Sequence, residues 1–227
     1  PGGCAIGSRP VDIHINALKK MGAKLEIKDG YIKASVPNKK LVGADITFPK
    51  VSVGATENII MAACLAKGKT TIRNAALEPE IDDLITVLNK MGACVYRVDS
   101  NKIEVEGVNN LKGFSHSVMP DRIEAGTYAM AAVITAGRIE LIKAEEKYLK
   151  NVVKYLNRVG AKIESTNNGI NIEGPKIINN IDIKTEVYPG FPTDLQAQAM
   201  ALMTVAEGSS VIEESIFENR FMHIAEL

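Results

Sequence analysis

The stretch Pro1-Gly-Gly-Cys4-Ala-Ile-Gly-Ser-Arg9-Pro10 sets one thiol among three glycines and near an arginine. A free cysteine normally packs as a small hydrophobe, but glycines give it no apolar cover, and a nearby guanidinium favours the thiolate. Cys4 thus reads either as a reactive thiol, able to act as acid or nucleophile, or as an incidental loop thiol. Arg9-Pro10-Val11-Asp12-Ile13-His14 then opens a helix, with Asp12 as its expected N-cap. An Arg with an Asp beside it could equally clasp a planar polar ring, whereas His14 alone reads as structural. Lys50-Val51-Ser52-Val53-Gly54-Ala-Thr56 precedes a second helix with a cation, a hydroxyl and unpaired N–H groups, a combination that suits phosphate. It lacks the Gly-Lys-Ser/Thr ending of a P-loop. Phe191-Pro-Thr193-Asp194-Leu-Gln196 opens a third such helix, with Thr193 as expected N-cap and Asp194 complementing the dipole. Pro120-Asp-Arg-Ile-Glu124 fills the same slot between them. Helices that share apolar bodies but differ in polar residues at one end have turned that end to a ligand. Glu218-Asn-Arg220-Phe221 reads as an ion pair or a cap, and periodicity alone does not displace that reading.

The elements that position these residues repeat. Leu18-Lys-Lys-Met-Gly22-Ala-Lys, Leu88-Asn-Lys-Met-Gly92-Ala-Cys and Leu156-Asn-Arg-Val-Gly160-Ala-Lys share one pattern, the glycines 70 and 68 residues apart. Interleaved with it, Ala62-Ala-Cys64-Leu-Ala-Lys-Gly68, Ala131-Ala-Val-Ile-Thr-Ala-Gly137 and Ala201-Leu-Met-Thr-Val-Ala-Glu-Gly208 recur at spacings of 69 and 71. The spacing predicts a buried helix over 56–67, ended by Gly68 as left-handed cap, then a strand at 70–73. An amphipathic helix over 81–90 and two strands, 94–98 and 102–106, complete a β-α-β-α-β-β unit. Three units fit, the first and last incomplete. The fold class is α/β, built of repeated units around buried helices, neither a TIM barrel nor a Rossmann sheet. Residues 107–119 break the pattern, which places a boundary between domains 1–118 and 119–227 with a cleft between them. Cys64 and Cys94 fall in a buried helix and a strand and read as structural.

The chain has 227 residues, 27 basic against 27 acidic side chains, and 46% hydrophobic residues, values of a globular protein. A zero balance gives no reason to expect nucleic-acid or anionic-membrane partners. The balance is uneven: sixteen basic against twelve acidic residues in 1–118, then eleven against fifteen. An anionic substrate would favour the first part. No apolar run reaches the ~18 residues of a membrane span, and the start is no signal peptide. Three cysteines without a CxxC pair and three dispersed histidines argue against disulfides and zinc. Cytoplasm is the expected compartment. A start without Met, inside what reads as a loop, predicts a piece of a longer polypeptide.

The motifs occur in an order that resembles the UDP-N-acetylglucosamine 1-carboxyvinyltransferase family of enolpyruvyl transferases. Those above are joined by Asn74-Ala-Ala-Leu-Glu78-Pro-Glu80 and Phe217-Glu-Asn-Arg220-Phe-Met-His223, so the resemblance covers essentially the whole chain. It implies the inverse α/β prism of two domains. It implies transfer of the enolpyruvyl group of phosphoenolpyruvate to the 3-hydroxyl of UDP-N-acetylglucosamine, opening peptidoglycan synthesis, with no metal or cofactor. By resemblance Cys4 is the general acid that fosfomycin alkylates, Arg9 contacts phosphate, and Arg9, Pro10, Val11, Asp12 and Ile13 hold the uridine. Lys50, Val51, Ser52, Val53 and Gly54 lie along the diphosphate. Asp194 is the base for the sugar hydroxyl, Ile216 lines the sugar, and Arg220 sits near the site. The family's stretches before the cysteine loop and after His223, with further phosphoenolpyruvate-binding residues, have no counterpart in this sequence. The expectation is negligible activity alone, with a second chain or missing segments completing the fold. The alternative is a non-catalytic UDP-sugar-binding or structural remnant. The sister enzyme acting on shikimate 3-phosphate is set aside for lacking the cysteine loop and the Arg-Pro-Val-Asp motif. RNA-cyclase relatives are set aside because an electropositive aromatic surface is absent.

Overall fold

A computed structural model describes residues 11–37 and 39–227. The chain divides into two compact units, the first ending at Met119 and the second spanning Pro120–Leu227. The first holds α1 (Asp12–Lys20), β1 (Lys24–Lys28), β2 (Tyr31–Ser35), β3 (Asp45–Thr47), α2 (Val53–Cys64), β4 (Lys69–Arg73), α3 (Pro79–Lys90), β5 (Cys94–Asp99) and β6 (Lys102–Glu106). The second holds α4 (Arg122–Ile134), β7 (Arg138–Ile142), α5 (Glu146–Val159), β8 (Lys162–Ser165), β9 (Gly169–Glu173) and β10 (Ile183–Lys184). A 3-10 turn (Thr193–Leu195), α6 (Gln196–Met203), β11 (Ile212–Glu213) and a closing 3-10 turn (Met222–Ala225) follow.

The Leu-x-x-x-Gly-Ala repeat has a physical cause. Gly22, Gly92 and Gly160 have φ of +91°, +93° and +106°, a left-handed backbone that costs a residue with a Cβ. That turn brings the amides of Ala23, Ala93 and Ala161 back onto the carbonyls of Leu18, Leu88 and Leu156, each at 3.0 Å. This is the Schellman closure, which satisfies carbonyls that the helix end would leave unpaired. It turns the chain directly into the hairpins β1–β2, β5–β6 and β8–β9.

In the first unit β3 and β4 are parallel, and the sheet order β3-β4-β6-β5 continues antiparallel. Helix α2 lies in the core with Ala55, Thr56, Ile59, Ile60, Ala63 and Cys64 buried, among Ile72, Ile81 and Ile103. In the second unit the sheet is β7-β9-β8, and β10 pairs with β11 in parallel. Its core joins Val133, Leu156, Ile170 and Ile172 to Phe191 and Leu195, with the Tyr155 ring edge-on to Phe191 at 4.9 Å.

Two helix boundaries differ from the sequence expectation. Helix α2 ends at Cys64 with Leu65 at its C-cap, so Gly68, at φ +86°, is not the cap. The apolar pattern runs on, but the Lys67 amide leaves to bond the Leu41 carbonyl at 2.8 Å, and tertiary pairing ends the helix early. Asp12 is not the N-cap of α1; Val11 holds that position, and Asp12 is the first helical residue, where a carboxylate complements the dipole. Residues 107–121 contain no helix or strand. Part of the stretch lies against α3: the Lys112 amide bonds the Met91 carbonyl at 2.9 Å, and His116 stands between Lys90 (3.0 Å to Nδ1) and Asp83 (2.9 Å from Nε2). An ammonium only donates, so the ring proton sits on Nε2 and goes to Asp83.

Candidate functional site

Cys4, Arg9 and Pro10 lie outside the described residues. The rest of the sequence-derived set falls into two groups, one in each unit. In the first unit the starts of α1 and α2 lie side by side, since a Cβ on Gly54 would stand 3.7 Å from Cε1 of His14. Val11 caps α1, Asp12 is exposed, and the Ile13 side chain belongs to the core. Ser52 caps α2, its hydroxyl accepting from the Ala55 amide at 3.3 Å. Thr56, fully buried, donates to the Ser52 carbonyl at 2.8 Å and accepts from the Ala76 amide at 3.0 Å, which fixes this helix start against the segment between β4 and α3. Lys50 and Gly54 are exposed beside it, and the Val53 and Gly54 amides have no partner within the helix. A cation, exposed amides and a helix dipole at one point are chemistry for an anion. One turn further in, burial pushes the Glu57 carboxyl upward, and the charges of Glu80 and Glu78 add to that shift.

In the second unit Asp194, Ile216 and Arg220 come together. Thr193 does not cap a helix; it begins the 3-10 turn, and Leu195 occupies the N-cap of α6. Its hydroxyl donates instead to Oε2 of Glu214 at 2.9 Å. Arg220 donates from Nη1 to the Thr193 hydroxyl at 2.9 Å and from Nη2 to Oδ1 of exposed Asp194 at 2.7 Å. Its guanidinium stands 5.3 Å from the Phe217 ring centre. The other oxygen of Glu214 accepts the amides of Ile216 at 2.8 Å and Phe217 at 3.1 Å. The ion-pair reading of Arg220 is therefore correct, and its partner is the other motif. At the start of α4, Asp121 takes the cap, accepting from the Ile123 and Glu124 amides at 2.8 and 3.1 Å.

Glu214 escaped the sequence reading. It lies 21 residues from Thr193, beyond any periodicity, and the β10–β11 pairing together with the Thr185–Phe191 bridge brings the two segments together. Among the described residues no three His, Cys, Asp or Glu side chains converge as a metal site, and no helix is long and apolar enough to cross a membrane.

The family model described as EPSP synthase (3-phosphoshikimate 1-carboxyvinyltransferase) matches residues 1–227. Proteins named UDP-N-acetylglucosamine 1-carboxyvinyltransferase from Pelagibacter ubique (strain HTCC1062) and Endomicrobium trichonymphae are 57% and 56% identical over 227 residues. Each match covers 100% of this chain and 54% of the relative, so the chain spans about half the length of the curated relatives it matches. Among solved structures, the enolpyruvyl transferase NikO from Streptomyces tendae superposes with a TM-score of 0.82 at 20% identity, over 97% of this chain and 55% of that one. An EPSP synthase from Acinetobacter baumannii gives 0.68 at 22%, over 99% and 54%. At such identities the likeness establishes the fold: α/β units of the enolpyruvyl transferase type.

Proposed function

The chain belongs to the EPSP synthase family, and on that premise we propose that it serves enolpyruvyl transfer from phosphoenolpyruvate to the 3-hydroxyl of UDP-N-acetylglucosamine. The observation that carries this reading is the 57% identity to a UDP-N-acetylglucosamine 1-carboxyvinyltransferase across the entire chain. The shikimate 3-phosphate reaction is the weaker choice, because those structures are only 22% and 23% identical.

In the proposed reaction the sugar oxygen bonds to C2 of phosphoenolpyruvate as Asp194 takes the hydroxyl proton. Cys4 delivers a proton to C3, giving a tetrahedral intermediate. Loss of a C3 proton then restores the double bond as the C2–O bond to phosphate breaks. Positive charge gathers at C2 beside phosphate and carboxylate, which calls for preorganised cations, and Arg9 and Lys50 are the assigned ones. Arg220, bonded to Asp194, aims that carboxylate. Val11, Asp12 and Ile13 are assigned to the uridine, Val51, Ser52, Val53 and Gly54 to the diphosphate, and Ile216 to the sugar. The product would enter peptidoglycan synthesis in the cytoplasm.

A second reading is a non-catalytic UDP-sugar-binding or structural remnant without turnover. Both readings expect steady phosphate release by the purified 227-residue chain to be negligible. Fosfomycin with UDP-N-acetylglucosamine, followed by intact mass, tests the site itself. We expect one adduct, on Cys4, lost in Cys4→Ser. Cys64 stays unlabelled because burial pushes its thiol up to about 11 and leaves it protonated. Labelling of Cys64, or no adduct at saturating nucleotide sugar, would overturn the assignment.

A further inference from the structure

We propose that Glu214 is a positioning residue that joins the proposed base Asp194 to the proposed sugar-lining residue Ile216 through Thr193 and Arg220. The inference rests on the function proposed above and adds two residues to it.

The bonds have a direction. An ionised carboxylate only accepts, so the Thr193 hydroxyl must spend its proton on Glu214. The Thr193 oxygen then turns its lone pairs to the guanidinium of Arg220, which reaches on to Asp194. The order is carboxylate, hydroxyl, guanidinium, carboxylate, with donors and acceptors alternating along its length. Reversing the hydroxyl would set its proton against an Arg N–H, so only one arrangement is consistent. Charge-assisted bonds of this kind are the strong ones, and together they fix Arg220 on two sides.

The second oxygen of Glu214 does different work. It accepts two successive amides, at Ile216 and Phe217, and so sets the turn that presents the Ile216 side chain. The same turn is fixed by Ser215, whose amide bonds the Thr185 hydroxyl at 2.9 Å and whose hydroxyl bonds the Thr185 carbonyl. Thr185 in turn bridges Phe191, at the head of the 191–194 segment. Backbone pairing at Thr185 thus brings the two segments together, and Glu214 fixes their side chains relative to each other. An Asp194 carboxylate at the end of a mobile Arg220 would not hold one geometry against a sugar hydroxyl, and productive positioning is sensitive at the scale of an ångström.

The test compares Thr193→Val, Thr193→Ser and Glu214→Ala in the full 227-residue chain, by calorimetric titration with UDP-N-acetylglucosamine and amide hydrogen exchange. Thr193→Val removes the hydroxyl at constant shape and should weaken binding about tenfold, while Thr193→Ser, which keeps the hydroxyl, should bind as the parent does. Exchange at Ile216 and Phe217 should quicken in Glu214→Ala and stay slow in Thr193→Val, separating the two functions of the carboxylate. Parent-like binding in both Thr193→Val and Glu214→Ala overturns the positioning role and leaves the nucleotide-sugar reading standing. A parent chain that binds no UDP-N-acetylglucosamine overturns that reading, and this inference with it.

Discussion

Glu104 shows how a single side chain ties stability to pH. It lies 2.7 Å from Lys69 and 2.8 Å from Lys102, and hydrogen bonds from Lys102 and then Lys69 hold its carboxyl down at about 2. The folded value lies below the ordinary 4.5, so the unfolded chain takes up the proton first as pH falls. The contribution is fully present above about pH 4.5 and disappears as pH drops towards 2. Glu104→Gln should therefore lower the melting temperature at neutral pH, and the gap to the parent should close towards pH 2. A gap that stays constant down to pH 2 would refute it. Residue identity was legible at this scale, but partnership was not. Lys50, Ser52 and Gly54 could be read as a helix start because caps act within three residues. Thr193 carries the same cap chemistry, yet its hydroxyl is claimed by Glu214, a residue that local reading cannot reach.

Elements were most legible where the backbone demanded a particular residue. The three Schellman glycines were visible as a repeat because a left-handed residue at a fixed place after a leucine leaves little choice. The Ala-rich helices were harder, since an all-apolar pattern does not mark its own end, as residues 65–67 after α2 show. Two glycines separate the physical costs. At Gly92 an added Cβ meets only the Lys112 side chain, at 4.0 Å, so Gly92→Ala pays only for its φ of +93°, about 1–2 kcal/mol. At Gly126, inside α4, the added Cβ would stand 2.4 Å from Cδ1 of fully buried Leu195. Leu195 is locked in the core and adjoins Asp194, so Gly126→Ala forces repacking at about 1–3 kcal/mol and displaces the 3-10 turn. Chemical denaturation should show both losses. Weakened UDP-N-acetylglucosamine binding should appear in Gly126→Ala alone, and an equal loss in Gly92→Ala would contradict the argument.

At the scale of the whole molecule, zero net charge conceals two units of opposite sign, and the proposed phosphate-binding motifs lie in the basic one. The repeat also implies that each apolar helix needs cover on most of its circumference. That cover is incomplete in both units. Met61 on α2 is 50% exposed, and Leu65 at its C-cap 44%. Beside α6, Met200, Met203, Ile212, Phe221 and Ile224 line an open groove of about 470 Å³, with Ile224 itself 53% exposed. Exposed apolar surface of this kind associates in water, and in a purified sample the available occupant is a second copy of the chain. Sedimentation velocity should therefore show the average mass rising with concentration. Met61→Glu with Ile224→Glu, both at exposed positions, should leave the fold intact and hold the chain monomeric over the same range. A parent chain that sediments as one monomeric species throughout would show that these faces are satisfied without a partner.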